Sequence, residues 1–416
     1  MIYTTRAYRL ISYVGAFGLS FSRNTSAFQP SFASKYHHHA ATFSRSATLP
    51  PLSSLSSQGD IGTETTPVNE NISTLTLLEH VNLNVPDHEY ILDFYMTVLG
   101  CGLDPRRAQN VVKGSGTVWA NCGASQFHLP YGQEAQVIPG SIGLWYDSLD
   151  SLKQRLAKYD NEDDDEQQIK PFAQYSIEGD NTNRESIRIM DHYGNVFYCR
   201  KGNEPIVSNG NDEQAAATDQ QQELMRCAKQ PILTNQEQDV QEYSTAAERF
   251  GLNKDQETDC KGISYVEFYV PRGKAALIAE FYDCVFDAAS SVFTDPSTSD
   301  EVAIVAFGSI DPETGRSSQS LLYRESDVEL PPYDGHHIAL YAGNDKADFE
   351  QAFKNVEEAG VVWVNTRFSD RVTNLNTAKK WKQFRFKNVT DLKTGKTILE
   401  LEHEVRSVEH DAWPGR

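Results

Sequence analysis

One eight-residue pattern occurs twice and sets the terms for the fold. Glu79-His80-Val81-Asn82-Leu83-Asn84-Val85-Pro86 is followed by a helical stretch holding Phe94-Tyr95, and Ser264-Tyr265-Val266-Glu267-Phe268-Tyr269-Val270-Pro271 is followed by one holding Phe281-Tyr282. Strict alternation over a short run predicts a half-buried strand, and the proline ends it because it has no amide proton to give to a ladder. Val81, Leu83 and Val85, like Val266, Phe268 and Val270, then share the core face. His80, Asn82 and Asn84, like Tyr265, Glu267 and Tyr269, line the polar one. A chain carrying this unit twice is built from related halves.

Each half contains a second, weaker strand-helix start. Ser141 to Tyr146 leads into an amphipathic stretch with Leu149, Leu152 and Leu156, and His337 to Tyr341 leads into Phe349, Phe353 and Val356. Short alternating runs follow, at Thr117 to Asn121, Gln126 to Leu129 and Ser318 to Tyr323. The halves close on a turn and a final strand, at Asp191 to Cys199 and at Asp391 to Leu401. The expected class is α+β, with four βαβββ units in two domains, 76–203 and 260–410, and a short tail at 411–416. Between them, 204–259 is rich in Gln, Asn, Asp and Glu, which is linker composition, with a short helix expected near Gln236 to Phe250.

This arrangement resembles the vicinal oxygen chelate superfamily, which includes glyoxalase I, type I extradiol dioxygenases, fosfomycin-resistance proteins and bleomycin-binding proteins. The likeness rests on the x-V-x-L-x-V-P strand, the helical Phe-Tyr and the D-x-x-G-N closing turn. It implies paired units curled into cups that hold a divalent metal (Fe2+, Mn2+, Zn2+ or Ni2+). Carried over by position, the ligand places fall at His80 and His128, Ser141 and Tyr198, Tyr265 and Leu321, and His337 and Glu400. Neither block alone carries the usual full set.

Three arrangements remain open. If the first unit packs against the fourth, His80, His128, His337 and Glu400 pool into a three-His, one-carboxylate metal site. The second block working alone offers His337 and Glu400 with Tyr265 or Glu267. Or the cups hold no metal and are ligand pockets, lined by aromatics such as Trp145, Tyr198 and Tyr269. The segment from Glu402 to Ser407 leaves the fourth unit with Glu404 and Arg406, residue types suited to proton transfer or to clamping a substrate carboxylate; Glu404, Arg406 and Tyr265 are the catalytic candidates. A pair between Glu404 and Arg406 is the competing role. The preferred activity is that of a metal-dependent dioxygenase, or of a lyase or isomerase, on a small substrate with adjacent oxygens. The alternative is non-catalytic binding of a small molecule.

Composition narrows the partners. A net charge of -20 repels phosphate backbones, so nucleic acid is not expected. Mean hydropathy of -0.52 leaves no membrane bundle in the mature form. The acidic run Asn161 to Glu166 lacks the spacing of a calcium loop and reads as a solvated loop. Six scattered cysteines without a CxxC pair read as reduced thiols.

The leader stands apart. No acid precedes Asp60, while Arg6 and Arg9 introduce the apolar run Leu10 to Phe21, the pattern of a signal peptide over 1–27. A serine-rich, basic segment follows, read as a transit peptide over 28–75. With Ala27-Phe28 at the junction, this resembles the bipartite leader of algae with red-derived plastids, which implies cleavage there and delivery to the plastid. A plain secretory signal is the competing reading.

Overall fold

The computed structural model describes residues 73–160, 170–179, 185–202, 237–250, 258–295, 298–310 and 317–413. The leader, the acidic run at 161–166 and most of the linker lie outside the described residues.

The first unit contributes β1 (Leu75–Asn82), β2 (Gly102–Leu103), β3 (Thr117–Cys122) and β4 (Ser125–Pro130). The second contributes β5 (Gly140–Tyr146), β6 (Gln174–Gly179), β7 (Glu185–Met190) and β8 (Val196–Lys201), and the third β9 (Cys260–Pro271), β10 (Ser290–Thr294), β11 (Glu301–Ile310) and β12 (Ser317–Ser326). The fourth has β13 (His337–Ala342), β14 (Gln383–Thr390) and β15 (Thr397–Ser407).

Two sheets result, and they do not follow the sequence blocks. A 7-stranded sheet runs β14-β15-β13-β1-β4-β3-β2, and an 8-stranded sheet runs β10-β11-β12-β9-β5-β8-β7-β6. Antiparallel pairing of β1 with β13 joins unit one to unit four, and antiparallel pairing of β5 with β9 joins unit two to unit three. The paired-unit α+β architecture is therefore present, with the pairing crosswise between blocks.

Local chemistry accounts for the recurring signatures. The β1 ladder ends at Asn82, short of the expected stop at Pro86, with one further bridge from Val85 to Tyr131. The Asp87 carboxylate then accepts from the Glu89 amide at 2.8 Å to start helix α1, which opens as His88–Tyr90 and continues with π-type winding over Ile91–Val98. Phe94 and Tyr95 on it are fully buried, as are Phe281 and Tyr282 on the equivalent helix of unit three, Ala275–Phe286. In the closing turn, one Asp191 oxygen accepts from the Tyr193, Gly194 and Asn195 amides at 2.9, 2.7 and 2.7 Å, and Gly194 takes φ of 105°, which an L side chain rarely adopts. The linker region does form a helix, Glu237–Phe250, whose Tyr243, Ala246 and Ala247 are buried in the main core.

The expected core face is present, although only Val81 of it lies within β1 and Leu83 and Val85 follow the strand's end. Val81, Leu83 and Val85 belong to the large core cluster, and each such buried aliphatic contributes about 1.5–3 kcal/mol. One irregularity matters. Leu78 pairs with Leu340 but His80 pairs with Ala339, so Glu79 and His80 together oppose one residue. This bulge lets two consecutive side chains engage the same polar cluster.

Candidate metal centre

The first sheet brings His80, His337 and Glu404 together. One donor atom from each lies within 4.8 Å of the others, and all three residues are buried. Register explains the convergence: His80 pairs with Ala339, which pairs with Glu404 on the far side, while His337 on the same strand faces Asn82 and Glu402. Three adjacent strands thus present their cup-facing positions to one hollow, which is possible only because unit one pairs with unit four. The His80 and His337 rings meet edge-on at 5.7 Å.

The surroundings hold these groups in ligating forms. His80 Nδ1 lies 2.6 Å from a Glu79 oxygen, which fixes the proton there and leaves Nε2 as a lone pair; that Nε2 is buried and has no hydrogen-bond partner. Burial lowers the His80 pKa to about 3, with Arg406 and Arg385 adding to the effect against the opposing pull of Glu404. His337 is likewise held well below the usual imidazole range, first by burial and then by His80 and Arg385. Glu404 is the opposite case: burial alone would raise it, but Arg385 and Arg406 hold its carboxyl well below the usual range. Two neutral imidazoles and one ionised carboxylate are a donor set that a divalent cation accepts.

A buried ion network supports the cup. Arg406 Nη1 donates to both Glu79 oxygens at 2.8 Å and its Nε to Glu404 at 2.7 Å. Arg385 donates to Glu404, to Glu402 at 3.1 Å and to Asp370 at 3.2 Å, and Asn365 donates to both Glu402 oxygens at 3.0 and 2.9 Å. Four carboxylates face two guanidinium groups, a formal excess of two negative charges, which is the charge a dication neutralises.

The other sequence candidates sit as follows. His128 does reach the cup, but its ring stacks on His80 at 3.7 Å and its Nε2 is 3.0 Å from the Gln126 side-chain oxygen, so it walls the cluster rather than joining the three donors. Glu400 is exposed and pairs with Lys387 at 3.5 Å. It lies before the point where β13 begins to pair, and a register shift in β15 between Leu399 and Glu402 separates it from the Glu402–Glu404 alternation, so it does not join the three donors. Arg406 is spent on Glu79 and Glu404. Tyr265 is buried on the second sheet, 3.4 Å from Ser141 Oγ, and belongs to a different cup.

Residues not foreseen complete the site. Arg107 lies 4.2 Å over the Trp119 ring, and Trp119 stacks on His128 at 4.7 Å, making a continuous stack from a guanidinium to His80. Arg107 Nε is buried without a partner. On the other side Phe368 meets His337 edge-on at 6.0 Å with Arg385 over its face at 4.2 Å.

No protein-family model and no curated protein matches this chain. Solved structures do resemble it. Glyoxalase I from Zea mays aligns over 80% of this chain and 92% of its own at 10% identity, TM-score 0.44. A glyoxalase/dioxygenase from Nostoc punctiforme aligns over 35% of this chain and 100% of its own at 16% identity, TM-score 0.24. A fosfomycin-resistance protein from Listeria monocytogenes, complexed with Mn(II) and dihydroxypropylphosphonic acid, aligns over 35% and 90% at 13% identity, TM-score 0.21.

Proposed function

We propose that this chain is a divalent-metal-dependent enzyme of the vicinal oxygen chelate type, acting on a small substrate with adjacent oxygens, as a dioxygenase or as a lyase or isomerase. The observation that carries the reading is the His80, His337, Glu404 cluster with its unpartnered Nε2. His80, His337 and Glu404 would hold Fe2+, Mn2+, Zn2+ or Ni2+. The bound cation would supply Lewis acidity to two neighbouring substrate oxygens.

The remaining residues prepare that chemistry. Glu79 orients His80 through Nδ1, and Arg385 with Arg406 fixes Glu404, so the donors are set before any substrate arrives. His128, Trp119 and Phe368 exclude water around them. Arg107, at the outer end of the stack, supplies a positive charge for an anionic group on the substrate.

A second reading has its own observation. Both Glu404 oxygens already accept from arginines, which suits a closed polar floor under a non-catalytic small-molecule pocket. Elemental analysis separates the two: the enzyme reading expects one equivalent of a transition metal in the purified full chain and loss of it in His337→Ala. Unchanged stoichiometry in that variant removes His337 as a ligand.

The leader supports delivery to a plastid of red-derived origin. Fusing 1–75 to a fluorescent protein in such an alga tests it, plastid fluorescence being the expected result and a secreted fusion the contrary one.

A further inference from the structure

The second sheet has a polar face of its own, which among the described residues gathers no metal-ligating cluster. One face packs on the main core through residues such as Leu144, Phe197 and Val266, whereas the other carries a separate small cluster in which Tyr265, Val302 and Leu322 are buried and Tyr198, Phe293 and Ile304 are half-buried. The floor is flat because two glycines allow it. A Cβ on Gly143 would stand 2.0 Å from the Tyr265 ring, and one on Gly262 would stand 2.4 Å from Trp145 Nε1, so both rings lie across bare backbone. Trp145 is 9% exposed and its Nε1 has no hydrogen-bond partner.

The ion pairs on this face gather on one arginine. Glu267 is engaged by Ser141 at 2.8 Å and by Arg324 at 2.7 Å, and Arg324 also meets Asp295 at 2.7 Å. Two further arginines are left. Arg188 pairs in register with Tyr198, and Arg200 with Trp145, which puts both side chains over the same floor. Neither has a carboxylate partner among the described residues, and Arg200 Nε is buried with no hydrogen-bond partner at all. Glu267, Asp295 and Asp300 all meet Arg324, so the face carries no net positive charge; what it offers is two guanidinium groups without a carboxylate of their own beside an aromatic floor. A buried donor left unpaired is costly, and an arriving acceptor oxygen removes that cost.

We infer that this face of the second sheet binds a small organic anion, a carboxylate on a flat apolar body. The carboxylate meets Arg200 and Arg188, and the body lies on the half-buried Tyr198, Phe293 and Ile304. Arginine suits the role because its planar fork matches a carboxylate in two-point contact, and the aromatic floor suits a flat body. This site is independent of the His80 cluster, which belongs to the other sheet.

Calorimetric titration of the full chain with naphthalene-2-carboxylate, and with the neutral naphthalene-2-methanol, tests the assignment. Saturable one-to-one binding of the acid is expected, with the alcohol weaker by about tenfold or more. Arg200→Gln should weaken the acid by about tenfold or more, Arg188→Gln with Arg200→Gln should remove the preference for acid over alcohol, and His337→Ala should leave it unchanged. Circular dichroism checks the fold; if Arg200→Gln does not fold, Arg188→Gln alone, at a half-exposed position on the same face, carries the comparison. Equal affinity for acid and alcohol, an unchanged constant in the arginine variants, absence of saturable binding at millimolar ligand, or loss of binding in His337→Ala would each overturn the assignment.

Discussion

Glu79 and His80 are consecutive in the chain, yet the Glu79 carboxylate lies 2.6 Å from His80 Nδ1, because a bulge in β1 opposes both residues to Ala339. Glu79 therefore does two things: it holds the His80 tautomer and it accepts both bonds from Arg406 Nη1. Glu79→Gln keeps the shape and removes the charge. Metal affinity should fall about 10–100-fold, the cost seen when a carboxylate behind a ligating histidine is lost. Competition against a chelator of known affinity measures it, and an affinity within twofold of the parent would count against the orienting role.

Arg385 sits 4% exposed among Glu404, Glu402 and Asp370. Arg385→Met leaves buried carboxylates without a counter-charge. Removing one partner of such a network costs about 3–5 kcal/mol, far more than the net worth of the pairs, because the remaining charges stay desolvated. Urea unfolding should show a loss of that size with an unchanged slope. A loss below about 1 kcal/mol would mean that water or movement relieves the site.

Acid should destabilise the fold well before ordinary carboxylates titrate. Burial pulls His80 and His403 to about 3 and keeps His337 and His128 well below the usual range of 6.5. Between those values the unfolded chain binds protons that the folded chain does not, so stability rises with pH there and is flat above neutrality. Glu404, whose folded pKa is depressed, adds stability above its unfolded value and loses it at still lower pH, in the same direction. Unfolding midpoints at pH 7.5, 6 and 4.5 should fall in that order, and His403→Gln should flatten the slope. Equal midpoints would contradict neutral burial of these rings.

How far the sequence carried is clearest at β15. Glu400, Glu402 and Glu404 alternate in the sequence, but a register shift between Leu399 and Glu402 breaks that alternation in β15, so periodicity cannot say which of the three reaches the cup. That depends on where β13 begins to pair, and His337 opposite Glu402 settles it in favour of Glu404. The β1 pattern gave His80 its orientation correctly. It could not give Glu79, because a bulge breaks the alternation that the reading relied on. The four units were legible as strand, stop and helix; their crosswise pairing was visible only as the fact that competent ligands fell in units one and four. Arg385 and Asp370 left no local signal, since their meaning comes from partners far along the chain. Trp119 and Arg107 were equally silent, as a stack across two strands and a turn has no sequence period.

Cobalt(II) titration of the metal-stripped full chain tests the central claim most directly, because its visible bands report both binding and the donor set. Saturation at one equivalent is expected in the parent and in Glu400→Gln, with the bands lost in Glu404→Gln and in His80→Ala. Bands that persist in Glu404→Gln but vanish in Glu400→Gln, or no saturable band in the parent, would contradict a metal centre built from His80, His337 and Glu404.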